Sequence, residues 1–150
     1  MRTMASLVAV GLFMLGGTVS ASASESLKAI VESYVTIQEQ LAADKIDGVK
    51  APARAIAAQA AAMGQKGVPI AMAATRLESA SDVKAVREAF GALSDAVIKV
   101  GSAEGWKDVE GVRLAFCPMV DRSWLQKHDK IKNPYYGSSM LTCGEFKPLK

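Results

Sequence analysis

The stretch ESLKAIVESYVTIQEQLAA, residues 25–43, decides the fold of this chain. Its apolar side chains recur three and four residues apart, which is the spacing of one face of an amphipathic helix. Glu25 lies near the start of the stretch, where the positive end of the helix dipole favours a carboxylate. The members of the predicted face are Leu27, Ile30, Val31, Tyr34, Ile37, Gln38 and Leu41. A helix with such a face needs partners that bury it.

Three further helices are predicted to supply those partners. An alanine-rich segment over 52–63 begins at Pro52 and stops before Gly64, as proline and glycine favour. A shorter helix over 69–79 and a longer one over 81–100 follow. With short connections, the pattern predicts a mainly α fold: an antiparallel helical bundle of about four helices.

Local signals predict further details of these helices. Ser79 or Ser81 can cap the fourth helix, and Ser79 followed three residues later by Asp82 resembles a capping box with Asp in place of Glu or Gln. Gly101 is expected to end that helix, because glycine tolerates the left-handed backbone of a helix end. Met63 and Met72 fall at helical spacing and are expected to fill the core.

The last third of the chain changes character, because glycines and prolines interrupt any long helix there. The segment Val112–Phe116 alternates apolar with small or polar residues and predicts a short strand. The segment Met140–Phe146 is its expected partner. We therefore predict a small C-terminal β-ribbon, over about residues 111–147, within a single domain spanning residues 24–150.

The first 23 residues are predicted to be a signal peptide. Arg2 supplies the positive start, residues 7–15 form a short apolar core, and Ala21-Ser22-Ala23 fits a cleavage site. The apolar run is shorter than the roughly 20 residues that a bilayer span requires. We expect a periplasmic or secreted protein with no membrane span after cleavage.

Both cysteines and two of the seven methionines lie in the predicted ribbon. They occur as Cys117-Pro118-Met119 and Met140-Leu141-Thr142-Cys143. If the strand continues to Met119, Cys117 and Met119 can share a face, whereas Met140 and Cys143 need a turn or a bulge to converge. Thiolates and thioethers are soft ligands that select Cu(I), and by the same logic Ag(I). His128 is an additional candidate ligand from the connecting loop.

A structural disulfide between Cys117 and Cys143 is the alternative. Cysteines of exported proteins usually pair in their oxidising compartment. Closing a loop of about 27 residues would stabilise the fold by about 3.5 kcal/mol on the chain-entropy model. Metal binding by thiolates requires that bond to be open, so the residues alone leave both interpretations standing.

The aromatic residues of the connecting segment also allow two interpretations. Trp124, Tyr135 and Tyr136 would cover the sulfur site or contact a partner in one of them, and pack against the bundle in the other. Catalysis is not predicted: Cys117 and His128 have no orienting third group, and the cysteines do not form Cys-x-x-Cys. The net charge of +3 and one small lysine cluster do not indicate nucleic-acid binding.

The motif series of this region resembles an exported bacterial domain family. Its members occur alone or fused to periplasmic adaptor subunits of copper and silver efflux systems, with no established activity. The resemblance covers about residues 112–146 and weakens over 25–100. The matching positions are Cys117-Pro118-Met119, Trp124-Leu125, Ile131, Asn133-Pro134-Tyr135-Tyr136-Gly137, Met140 and Cys143-Gly144-Glu145.

The resemblance implies a helical domain that handles copper(I) or silver(I). Cys117, Met119, Met140 and Cys143 are the matched candidate ligands, and His128 is not part of the pattern. A periplasmic efflux or copper-handling protein is the implied partner. The alternative function is a non-catalytic structural or protein-interaction module whose two cysteines form a disulfide.

Overall fold

The computed structural model describes residues 22–150, so most of the predicted signal peptide lies outside the described residues. Ser22, within the predicted cleavage site, is the N-cap of the first helix. Its hydroxyl accepts a hydrogen bond from the Glu25 amide at 3.2 Å, and the Glu25 carboxylate accepts one from the Ser22 amide at 2.9 Å. This reciprocal capping box satisfies two amides that have no partner inside the helix. Cleavage after Ala23 would remove it.

Within residues 22–150 the chain forms four α-helices followed by a small three-stranded antiparallel sheet, which confirms the predicted fold class. The helices are α1 (Ala23–Ala42), α2 (Lys50–Ala62), α3 (Val68–Ser79) and α4 (Val83–Glu104). The strands are β1 (Arg113–Cys117), β2 (Arg122–Gln126) and β3 (Glu145–Lys147), and short 3-10 turns occupy Gly64–Gly67 and Gly137–Ser139. None of these four helices combines the length and the apolar character that crossing a membrane requires.

One hydrophobic core joins the bundle and the sheet. Helix α2 packs between α1 and α3, α4 packs against α3 and α1, and β2 packs against α4 and α1. Alanines at the helix contacts, such as Ala53, Ala60 and Ala74, are fully buried. Their small side chains allow the helix backbones to approach closely. The predicted face of α1 is buried throughout, from Leu27 to Leu41.

The sheet differs from the predicted two-stranded ribbon because β2 lies beside β1. The strand order is β2-β1-β3, with Ala115 opposite Trp124 on one side and opposite Phe146 on the other. Sequence periodicity missed β2 because Trp124, Leu125 and Gln126 are all buried, so the strand lacks the polar alternation of a half-exposed strand.

Two predicted details of α4 are wrong. Asp82 is the N-cap itself: its carboxylate accepts a hydrogen bond from the Ala85 amide at 2.9 Å. Ser79, one of the two predicted caps, is instead the last residue of α3. The helix also continues past Gly101 to Glu104. Gly101 lies within the helix and is buried beneath the Trp106 ring. A Cβ at Gly101 would lie 2.3 Å from that ring, so close packing explains the glycine.

The two methionines that were predicted to fill the core, Met63 and Met72, lie in different environments. Met63 is half-buried and packs against the core, whereas the side chain of Met72 is 69% exposed. The core-facing residues of α3 are Ile70, Ala74 and Leu77. Met72 falls on the opposite side of the helix from them, so its predicted core role is wrong.

Candidate thiol site

The structure brings together the two cysteines that the sequence singled out. Cys117 ends β1, and Cys143 lies two residues before β3. Because β3 pairs with β1, the two sulfurs meet at 2.7 Å although they are 26 residues apart in the chain. Both are free thiols. A hydrogen-bonded pair of thiols therefore lies at the junction of β1 and the segment leading to β3.

The two thiols have different environments. Burial raises the pKa of Cys117, but hydrogen bonds from Cys143, the Val120 and Met119 amides and the Asn133 side chain outweigh it, so the pKa lies below its usual value. The pKa of Cys143 is raised, because its thiol donates to Cys117 and is partly desolvated beside it. Of the two thiols, Cys117 is therefore the one that loses its proton first, and its thiolate would accept a hydrogen bond from the Cys143 thiol.

Strand β1 ends at Cys117, so the condition under which Cys117 and Met119 would share a face is not met. Residues 118–121 form a turn into β2, and Asp121 adopts a left-handed backbone with φ 51°. This turn directs the Met119 amide towards the Cys117 sulfur. The Met119 side chain itself is 65% exposed.

On the other side of the pair, a turn joins Met140 to Cys143, and the strand expected over 140–146 begins only at Glu145. The Cys143 amide donates a hydrogen bond to the Met140 carbonyl at 3.0 Å. The Met140 side chain is 37% exposed. Each cysteine therefore has an exposed methionine in the turn next to it. Two thiols and two accessible thioethers lie in neighbouring segments.

His128 lies elsewhere. Its Nε2 atom is 3.1 Å from the Glu39 carboxylate of α1 and 3.3 Å from the Lys132 ammonium. Over residues 22–150, no group of three or more histidine, cysteine, aspartate or glutamate side chains is placed to hold a metal ion. His128 is thus not brought to the thiols, and any metal there would depend on sulfur alone.

The aromatic residues predicted to cover the site are mostly core residues. Trp124 is fully buried and Tyr135 is 7% exposed, which leaves neither ring available to a partner. A chain of ring contacts runs from Tyr34 through Phe90 and Tyr135 to Trp124, with centroids 4.9, 5.7 and 6.0 Å apart. Only Tyr136 is half-buried. Of the two interpretations of the aromatic residues, packing against the bundle therefore describes the positions of Trp124 and Tyr135.

Trp124 still affects the thiol site from inside the core. A Cβ at Gly144, the residue after Cys143, would lie 2.8 Å from the Trp124 ring. Gly144 also has φ 138°, a conformation that side chains rarely adopt. The absence of a side chain at Gly144 allows the backbone beside Cys143 to pass directly over the indole.

Asn133 is a residue of the site that sequence reasoning missed. Its side-chain oxygen accepts hydrogen bonds from the Tyr135 and Tyr136 amides at 2.8 and 3.2 Å. Its side-chain nitrogen donates to the Cys143 carbonyl at 2.8 Å. The Asn-Pro pair signalled a turn, but not that one fully buried amide would join this turn to both cysteines.

Replacing Asn133 with leucine, which has a similar shape, should destabilise the fold by about 2–3 kcal/mol. The substitution leaves the Tyr135 and Tyr136 amides and the Cys143 carbonyl without their partner, and buried orphan groups cost about 1–3 kcal/mol. Urea unfolding of the reduced protein measures the change. Thr142→Ala, at an exposed position of the same loop, is the control and should stay within about 0.5 kcal/mol of the wild type.

An ion pair anchors this loop to the bundle. The Asp44 carboxylate accepts hydrogen bonds from the Ser138 amide at 2.9 Å and from Arg87 at 2.6 Å. Hydrogen bonds from Ser138, then from Arg87, lower the pKa of Asp44 to about 2. Arg87 also donates to the Pro134 carbonyl at 3.0 Å. The loop that carries Asn133 is therefore fixed to α1 and α4.

Comparison of the chain with known protein families, curated proteins and solved structures found no match. The family resemblance of the motif series therefore stays a prediction, and the function has to be argued from the thiol site itself.

Proposed function

We propose that this protein binds a soft monovalent cation, copper(I) or silver(I), through Cys117 and Cys143 and passes it to a partner. Met119 and Met140 are the accessory thioethers. The observation that carries the proposal is the contact of 2.7 Å between the two cysteine sulfurs. Thiolate is the form of cysteine that binds metals, and the pKa of Cys117 lies below its usual value because of the hydrogen bonds that its sulfur accepts.

Charge favours a monovalent ion. Once Cys117 has lost its proton, the pair holds one proton between two sulfurs and carries a single negative charge. Replacing that proton with Cu(I) or Ag(I) leaves the charge unchanged, so the protein environment that accepts the first state also accepts the second. Sulfur donors in turn select these soft ions over hard cations such as Mg²⁺ and Ca²⁺.

Accessibility supports transfer rather than permanent storage. Cys117 is fully buried, whereas Cys143 is half-buried and both methionines are exposed. An incoming ligand can therefore replace the outer sulfurs one at a time. We further propose an exported efflux or copper-handling protein as the partner, and a periplasmic or secreted location; the motif resemblance and the predicted signal peptide support these two points.

The test is a Cu(I) titration of the reduced protein in competition with a chromogenic chelator. We expect one Cu(I) per chain, and a loss of affinity greater than about 100-fold in Cys117→Ser and Cys143→Ser, since even outer-shell changes cost 10- to 100-fold. Met119→Leu and Met140→Leu should weaken binding less. Met72→Leu, an exposed methionine on α3, is the matched control and should bind as the wild type does.

A reduced wild-type protein that fails to compete for Cu(I) would contradict the proposal. Wild-type affinity in both cysteine variants would also contradict it. Circular dichroism of each variant checks that the fold persists, so that a loss of binding is assigned to the missing sulfur.

The second candidate is a non-catalytic interaction module with a Cys117–Cys143 disulfide. The observation that favours it is again the 2.7 Å sulfur separation. It exceeds the roughly 2.05 Å of a disulfide bond by so little that a small movement would permit bond formation. The two candidates differ in which form of the cysteine pair is active: the reduced pair in the metal-binding protein and the disulfide in the interaction module. The stability of the oxidised protein relative to the reduced one provides a further test between them.

A further inference from the structure

The two sulfurs of the pair differ in how easily a molecule from solution reaches them. Cys117 is fully buried at the end of β1, whereas Cys143 is half-buried in the turn that follows Met140. They are 2.7 Å apart, so exchange with the disulfide of a small monothiol, which accepts the two electrons and leaves as two monothiols, can join them with little movement. In the resulting disulfide, the sulfur that a thiol from solution meets first is that of Cys143.

The sulfur that is attacked also decides which sulfur leaves. Attack on the more accessible Cys143 breaks its bond to Cys117, and the electron pair of that bond stays on the Cys117 sulfur. Cys117 is therefore the leaving group of the exchange.

We propose that Cys117 and Cys143 form a reversible dithiol–disulfide couple, in which a small monothiol attacks Cys143 and Cys117 leaves as the thiolate. The couple regulates the metal site of the proposed function, because the disulfide leaves no thiolate to bind the cation. That regulatory part rests on the proposed function, whereas the exchange reaction does not.

The reaction balances as two thiol–disulfide exchanges. The thiolate of the first monothiol attacks the Cys143 sulfur; a new S–S bond forms, the Cys117–Cys143 bond breaks, and its electron pair stays on Cys117. The thiolate of a second monothiol attacks the sulfur of the first and releases Cys143, which takes up a proton. Two monothiols are oxidised to their disulfide, and the protein disulfide gains the two electrons.

The experiment uses the full-length wild-type protein in its oxidised form. It is mixed with excess reduced glutathione, quenched with acid at intervals and digested for peptide mass spectrometry. We expect the transient glutathione adduct on Cys143 to exceed that on Cys117 by at least about tenfold, followed by complete reduction. Equal adducts, an excess on Cys117, or a disulfide that resists excess glutathione would overturn the proposal.

A Cu(I) competition with the oxidised protein tests the regulatory part. We expect its affinity to fall by more than about 100-fold and to recover fully after reduction. Selective attack at Cys143 without any Cu(I) binding by the reduced protein would overturn the metal function alone. Cu(I) binding by the reduced protein, together with a disulfide that glutathione cannot open, would overturn the redox couple alone.

Discussion

Trp124→Ala is expected to lower the free energy of unfolding by about 4 kcal/mol, because truncating a large buried aromatic side chain typically costs 3–5 kcal/mol. Trp124 is fully buried, meets Tyr135 edge-on and donates a hydrogen bond to the Gln126 side chain at 3.0 Å. Its removal leaves a cavity between the sheet and the bundle and takes one hydrogen bond from the Gln126 side-chain oxygen, which keeps its second one from the Lys132 amide. Urea unfolding followed by circular dichroism measures the effect.

Trp106→Ala is the matched control for this prediction. Trp106 is half-buried, covers Gly101 and donates to the Lys150 carbonyl at 2.9 Å. Its loss should cost about 1 kcal/mol, within the range of ordinary partly exposed positions. Equal losses for the two tryptophans would contradict the assignment of Trp124 to the shared core.

Oxidising the Cys117–Cys143 pair is expected to raise the free energy of unfolding by about 3.5 kcal/mol. The disulfide would close a loop of about 27 residues and so restrict the unfolded chain. Because the sulfurs already lie 2.7 Å apart, little native structure has to move. The measurement compares urea unfolding of the oxidised wild type with that of the protein kept in reductant.

The double variant Cys117→Ser, Cys143→Ser is the control, and its stability should not respond to reductant. An oxidised wild type that is no more stable than the reduced one would contradict this prediction and remove the basis of the disulfide module. A stabilised oxidised form that also resists glutathione would favour that module over a redox couple.

The two cysteine interpretations require the same two segments of the chain to lie side by side. In each of them, β3 has to hold Cys143 against the end of β1. This is true of neutral thiols, a proton-sharing pair, a disulfide and a cation held by two sulfurs. The hydrogen bonds of Asn133 and the ion pair of Asp44 with Arg87 maintain this arrangement. Redox state, rather than a change of fold, therefore decides which chemistry the site can perform.

The helices were predictable from the sequence because their signals are local. Each predicted helix begins within two residues of the observed one, at Ala23, Lys50, Val68 and Val83. Amphipathic spacing repeats every few residues, and proline and glycine act on their own turn. The helix ends were less predictable. Gly101 was expected to end α4, but the reason for a glycine there is the Trp106 ring, which follows the helix in the chain and packs back on Gly101.

Much of the sulfur site was also visible in the sequence. Cys117, Met119, Met140 and Cys143 were chosen for their donor chemistry, and the structure brings the two cysteines into contact. Asn133 was not chosen, because most partners of its side chain, the Tyr135 and Tyr136 amides and the Cys143 carbonyl, are backbone groups that a sequence pattern does not display. His128, a candidate ligand in the sequence, instead contacts Glu39 on α1, and a contact with a residue so far away in the chain is not visible in a local pattern.

By itself, then, the sequence determined the helical bundle and the soft character of the sulfur ligands, since periodicity and side-chain chemistry are properties of short segments. Only the tertiary structure decided that β2 is a strand buried on both faces and that Trp124 belongs to the core. It also decided that Cys117 is the buried, hydrogen-bonded sulfur and Cys143 the accessible one. Burial and hydrogen bonding at these positions arise from contacts between distant segments, which no local pattern contains.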